Sequence, residues 1–134
     1  MRPALSLGFF GRFGRSPALR DFDAALRSVD IHPNLVPEAV KLTAVKMLQD
    51  QTGRDEPERD EQSKAAEIVA YCMIGAEAFA DANGTALMEQ VEQRIDAALA
   101  HGTSLDARLV LLTLHAKVIQ PSVVEQFGLE TSSD

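Results

Sequence analysis

The 134-residue chain has no tryptophan, one tyrosine and one cysteine. With Cys72 alone, an internal disulfide is impossible and the stapling of small secreted domains is excluded, so a reducing, cytoplasmic setting is expected. No apolar run approaches the roughly 18 residues needed to cross a bilayer. The N-terminal stretch "ALSLGFF" is short for a signal peptide, is closely followed by Arg12, and offers no small-x-small cleavage site. Nowhere do apolar and polar residues alternate long enough for a half-buried strand. Basic residues are scarce beyond the start. Residues 1–20 carry Arg2, Arg12, Arg15 and Arg20 with no acid, a charge of +4, whereas the other 114 residues hold nine basic and 20 acidic side chains, a charge of −11. A body this acidic repels phosphate backbones and anionic lipid, so nucleic acid is not an expected partner and membrane contact would be weak.

What the chain has is helical punctuation. Its 46% hydrophobic and 25% charged residues are those of an ordinary globular domain. Ser16-Pro17 reads as an N-cap followed by proline at the first helical position, and Leu19, Phe22 and Leu26 form one stripe of a helix over 17–28. A second helix is expected from Pro37 to Gly53 with Leu42, Val45 and Leu48 facing inward. The charged stretch 54–62, "RDEPERDEQ", reads as a solvated loop entering the next helix. That third helix runs from about 58 to at least Ile74, with Ile68, Val69, Cys72 and Met73 on its apolar side. Gly75 either lies within it at a close packing contact or starts a new helix, and Asn83-Gly84 ends the segment. Thr85 is expected to cap a fourth helix over 86–100, which Gly102 ends. Thr103 or Ser104 then caps "LDARLVLLTLHAKVIQ", which is apolar nearly all round and is therefore expected to be buried on most sides. Pro121 stops it, and a short helix from Ser122 to Phe127 follows. "IHPNLV" at 31–36 and "IQPSVV" at 119–124 read as one proline start signal used twice.

The expected fold is all-α: a single bundle of five to six helices around a central apolar helix at about 104–119. An N-terminal arm covers 1–15, the helical domain 16–128, and a frayed end 129–134.

Motifs that carry chemistry are absent or incomplete. "DANGTALMEQ" aligned as a calcium loop puts Phe79 at the first position and Gln90 at the twelfth, where carboxylates are needed, so a junction between two helices is the better reading. "GRS" at 14–16 lacks the first glycine and the lysine of a phosphate-binding loop, with Phe9 and Arg15 in their places. His32, His101, His115 and Cys72 stand singly, without metal-ligand spacing, and no cofactor is implied. His115 and Cys72 read as core residues, and Glu89, Glu92 and Asp96 as a hydrated helix face. No catalytic set is visible, and no enzyme is expected.

The most distinctive stretch is "LGFFGRFGR", residues 7–15, where Phe9, Phe10 and Phe13 fall within five positions beside Arg12 and Arg15. Gly8, Gly11 and Gly14 would together cost a helix about 3 kcal/mol relative to alanine, which argues against helix here. The arm packs on its own bundle, reaches a partner or a second copy, or rests weakly on an anionic membrane. The expected function is thus a non-catalytic interaction or scaffolding module, open to self-association. The alternative is a bundle holding a small apolar ligand near Tyr71, Cys72 and His115.

Overall fold

The structure, a computed structural model, describes residues 16–129. The arm 1–15, with its candidate interaction residues Phe9, Phe10, Arg12, Phe13 and Arg15, lies outside the described residues, as do residues 130–134. Six α-helices and one 3-10 turn make up the described bundle, with no strand among these residues. The helices are α1 (Pro17–Ser28), α2 (Glu38–Thr52), α3 (Arg59–Asn83), α4 (Thr85–His101), α5 (Leu105–His115) and α6 (Pro121–Phe127), and the 3-10 turn is Pro33–Leu35.

The expected start of α1 is present: Ser16 Oγ accepts a hydrogen bond from Leu19 N at 3.1 Å, and Leu19, Phe22 and Leu26 are buried. Its end uses no glycine. Asp30 takes a left-handed conformation (φ 66°), letting Ile31 N bond back to the Leu26 carbonyl at 3.1 Å. His32 then caps the 3-10 turn, its Nδ1 accepting from Asn34 N at 3.1 Å.

Helix α2 begins after Pro37 and ends at a left-handed Gly53, as expected, but its buried face is turned. Val40, Lys41, Ala44, Val45 and Leu48 point inward, whereas Leu42 is 51% exposed. Lys41 takes the inward position because its ammonium is neutralised there, 3.1 Å from Asp23 and 3.5 Å from Glu38.

The centre of the bundle belongs to α3 rather than to the stretch 104–119. Helix α3 packs against all five other helices, and the run Ile68 to Cys72 is fully buried. Alanines at 65, 66 and 70 explain this, since small side chains let neighbouring helices approach on every side. Helix α5 starts as expected, with Ser104 Oγ accepting from Ala107 N at 3.1 Å, but ends at His115. Lys117 is left-handed (φ 62°), and Val118 N turns back to the Thr113 carbonyl at 3.1 Å, which closes the helix four residues early. Leu111, on its outer side, is 38% exposed.

Arg94 on α4 ties three helices together. Its guanidinium grips Asp106 of α5 with two bonds (3.0 and 3.2 Å) and meets Glu67 (2.9 Å) and the Lys64 carbonyl (2.9 Å) on α3. At the α3–α4 junction Gly84, not Thr85, is the N-cap, while Asn83 Nδ2 donates to the Val29 carbonyl at 3.0 Å. At Leu129, the last described residue, the backbone N bonds the Val124 carbonyl at 2.9 Å and the side chain packs on the core.

Candidate functional site

Gly75 shapes the surface at one end of the bundle. Its φ of 89° and ψ of 167° break α3 into two arms, so the reading in which Gly75 starts a new helix is the one realised. In an unbroken helix the Cys72 and Met73 carbonyls would bond the N–H groups of residues 76 and 77. Here both accept from Gln120 instead, Cys72 from its backbone N at 2.8 Å and Met73 from its Nε2 at 2.9 Å. The kink also brings Ser122 close, 3.4 Å from where a Cβ on Gly75 would lie. Residues 116–128 are thereby fastened across α3, and Pro121 opens α6 at the point of attachment.

Beneath α6 lies a polar knot built on Tyr71. The ring is fully buried and meets Phe79 and Phe127 edge-on, with centroids 5.7 and 6.2 Å away. Its hydroxyl donates to Glu92 Oε2 at 2.5 Å, and Gln126 Nε2 donates to the same oxygen at 2.8 Å. Burial, reinforced by the Glu92 carboxylate, drives the phenol's ionisation far above its ordinary range. Glu92 is therefore a structural acceptor and not only part of a hydrated face. Sequence spacing could not reveal this, because its partner lies 21 residues away on another helix.

Cys72 points to α5, in hydrogen-bond contact with Thr113, and burial pushes its thiol up to about 11. It stays protonated near neutrality, which suits core packing and not nucleophilic attack. His115 is exposed at the end of α5. Of Tyr71, Cys72 and His115, the residues of the possible pocket, Tyr71 is buried beneath α6, Cys72 is buried beside Thr113 of α5, and His115 is exposed and lines the groove described next. His32 and His101 are both exposed, and no group of three or more His, Cys, Asp or Glu is placed to hold a metal among the described residues.

His115 instead stands at the rim of a groove between the end of α5 and α6. The groove has a volume of about 840 Å³ and is lined by the apolar Leu114, Ile119, Pro121 and Val124 together with His115, Lys117 and Glu125. A smaller recess of about 370 Å³ lies between α1 and α3, lined by Asp21, Arg59 and Gln62 among others. Gln62 is buried there and donates to the Ala18 carbonyl at 3.0 Å, while its Oε1 makes no hydrogen bond. Neither feature was legible in the sequence. The groove depends on the left-handed Lys117, which sits inside an apolar helical pattern, and on the break at Gly75, which the pattern leaves undecided.

No helix among the described residues is long and apolar enough to cross a membrane. Comparison with protein-family models, with curated proteins and with solved structures yields no match to the chain.

Proposed function

We propose that the protein is a non-catalytic interaction module, and that the α5–α6 groove pairs it with a second copy of itself. The observation that carries this reading is the groove's make-up: apolar Leu114, Ile119, Pro121 and Val124 lining it together with charges of both signs, Lys117 and Glu125. A two-fold interface is self-complementary, each residue of one copy meeting its counterpart's partner in the other. Lys117 and Glu125, which both line the groove, offer such a pair: a two-fold axis midway between them would set each Lys117 against the Glu125 of the other copy. The apolar wall supplies the affinity and the charges fix the register. A cytoplasmic setting accords with a single, buried, reduced cysteine.

Charge reversal tests the pairing. Both residues are exposed, so neither Lys117→Glu nor Glu125→Lys should disturb the fold. Sedimentation equilibrium is expected to show a dimer for the natural chain and several-fold weaker association for each single reversal, with recovery in the double reversal. A natural chain that sediments as a monomer, or single reversals that leave the dimer constant unchanged, would refute the proposal.

A further inference from the structure

The recess between α1 and α3 gathers polar groups that the fold itself leaves unused. Asp21, Ala24 and Ala25 reach it from one face of α1, at spacings of three and four, and Arg59, Gln62 and Ser63 reach it from one face of α3 in the same way. Neither the Asp21 carboxylate nor the Arg59 guanidinium has a hydrogen bond or ion pair among the described residues, so two opposite charges line one recess without neutralising each other. Gln62 between them is 1% exposed. Its Nε2 is committed to the Ala18 carbonyl at 3.0 Å, while its Oε1 has no hydrogen bond. A buried acceptor without a donor is rare in a folded protein and is unfavourable until something donates to it.

We propose that this recess binds a free α-amino acid, its ammonium on Asp21 and Gln62 Oε1 and its carboxylate on Arg59. Three properties of the recess select that class. The first is size: a volume of about 370 Å³ lies at the small end of ligand sites and admits only a compact molecule. The second is charge. A carboxylate and a guanidinium lining so small a space call for a ligand that carries both signs itself, and the guanidinium fork matches a carboxylate. The third is the neutral acceptor. Gln62 Oε1 requires that the cation carry N–H donors, which a primary ammonium has and a quaternary one lacks. The oxygen comes to the ligand by a small turn of the amide about its terminal torsion, which is broad for glutamine. Ala24 and Ala25, with short side chains, leave room for the side chain of the amino acid. No residue lines both this recess and the α5–α6 groove, so the inference does not rest on the pairing proposed above.

Titration of the full chain with L-leucine, read from the backbone amide signals, tests the assignment. Saturable shifts at Ala24, Ala25 and Ser63 are expected in the millimolar range, with Ile119 and Val124 unmoved. Three analogues each remove one feature of the ligand. Isocaproate lacks the ammonium, isoamylamine lacks the carboxylate, and the N-trimethyl derivative of leucine keeps both charges without an N–H. Each should bind at least about tenfold more weakly, the loss of one charge-assisted contact. Asp21→Asn and Arg59→Gln change exposed positions, leave the fold intact and should weaken leucine binding to a similar degree. The proposal is overturned if leucine, alanine and glycine all fail to give saturable shifts at the recess, or if the shifts fall elsewhere. It is equally overturned if any of the three analogues, or either variant, binds as well as leucine binds the natural chain.

Discussion

Substituting alanine for Gly75 has two possible outcomes of opposite sign, and the structure selects one. Were Gly75 an ordinary helical residue, Gly75→Ala would stabilise the protein by about 1 kcal/mol, the usual propensity difference. Instead the backbone at Gly75 stands at φ 89° and ψ 167°, a region open essentially to glycine alone. Holding a side-chain-bearing residue there costs about 1–3 kcal/mol. Sterics against α6 add little, because the new Cβ would sit 3.4 Å from Ser122 Oγ and 3.8 Å from Gln120 Cγ, close to ordinary contact distances. The chain's alternative is to straighten α3 and reclaim the Cys72 and Met73 carbonyls. That releases both bonds from Gln120, each worth about 0.5–1.5 kcal/mol net, and undocks α6. Either route destabilises. Urea unfolding followed by ellipticity reads the result directly: for a slope of about 2 kcal/mol/M, a loss of 1–3 kcal/mol lowers the midpoint by about 0.5–1.5 M. A midpoint that stays put or rises would mean that the helix runs through Gly75, and the account of how α6 and the groove are held would fall.

Two further substitutions probe the interior. Arg94→Lys keeps the charge but cannot reproduce the fork on Asp106 together with the bonds to Glu67 and the Lys64 carbonyl, at a partly buried site. A loss of about 1–3 kcal/mol is expected in the same urea assay, and an unchanged midpoint would show that the clamp contributes nothing. Cys72 controls part of the alkaline response: its thiol ionises near 9.0 in the reference state and near 11 when buried. Its contribution is complete below pH 9.0, and is lost as pH rises toward about 11, because only the unfolded chain gives up the proton readily in that window. The loss amounts to at most about 2–3 kcal/mol. Urea midpoints measured across that window should fall less steeply in Cys72→Ala than in the natural chain, even though the variant starts from lower stability because of the cavity it creates. Equal slopes would contradict the burial of this thiol.

Local signals carried much of the architecture. Ser16-Pro17, Ser104, Gly53 and Gly102 act where they were expected to, because a cap or a left-handed glycine works through hydrogen bonds within a few residues of itself. The proline signal at Pro33 and Pro121 opens a short helical element both times. Helix ends made by Asp30 and Lys117 carry no local signal, since neither residue announces a positive φ and each is held there by a bond closing on the preceding helix. The candidate site was less legible. Cys72 is buried on a helix, as its sequence suggests, but the partners of Tyr71 and Cys72, Glu92, Gln126 and Thr113, come from other helices. His115, read as a core residue, is exposed because α5 ends there.

The amino-acid order alone settled that the described residues are helical, that the chain has no internal disulfide, and that its first 20 residues carry only basic charge while the remainder is net acidic. Those properties follow from composition and from interactions over at most a turn or two of helix. Which helix lies at the centre was decided by tertiary packing. The most apolar segment, around 105–119, ended early and kept Leu111 at the surface, while alanine-rich α3 took the middle. The physical reason is that hydrophobicity measures what a side chain gains by leaving water, whereas a central position also requires that neighbours can come close. Small residues meet that second requirement, and only the assembled fold shows where it was imposed.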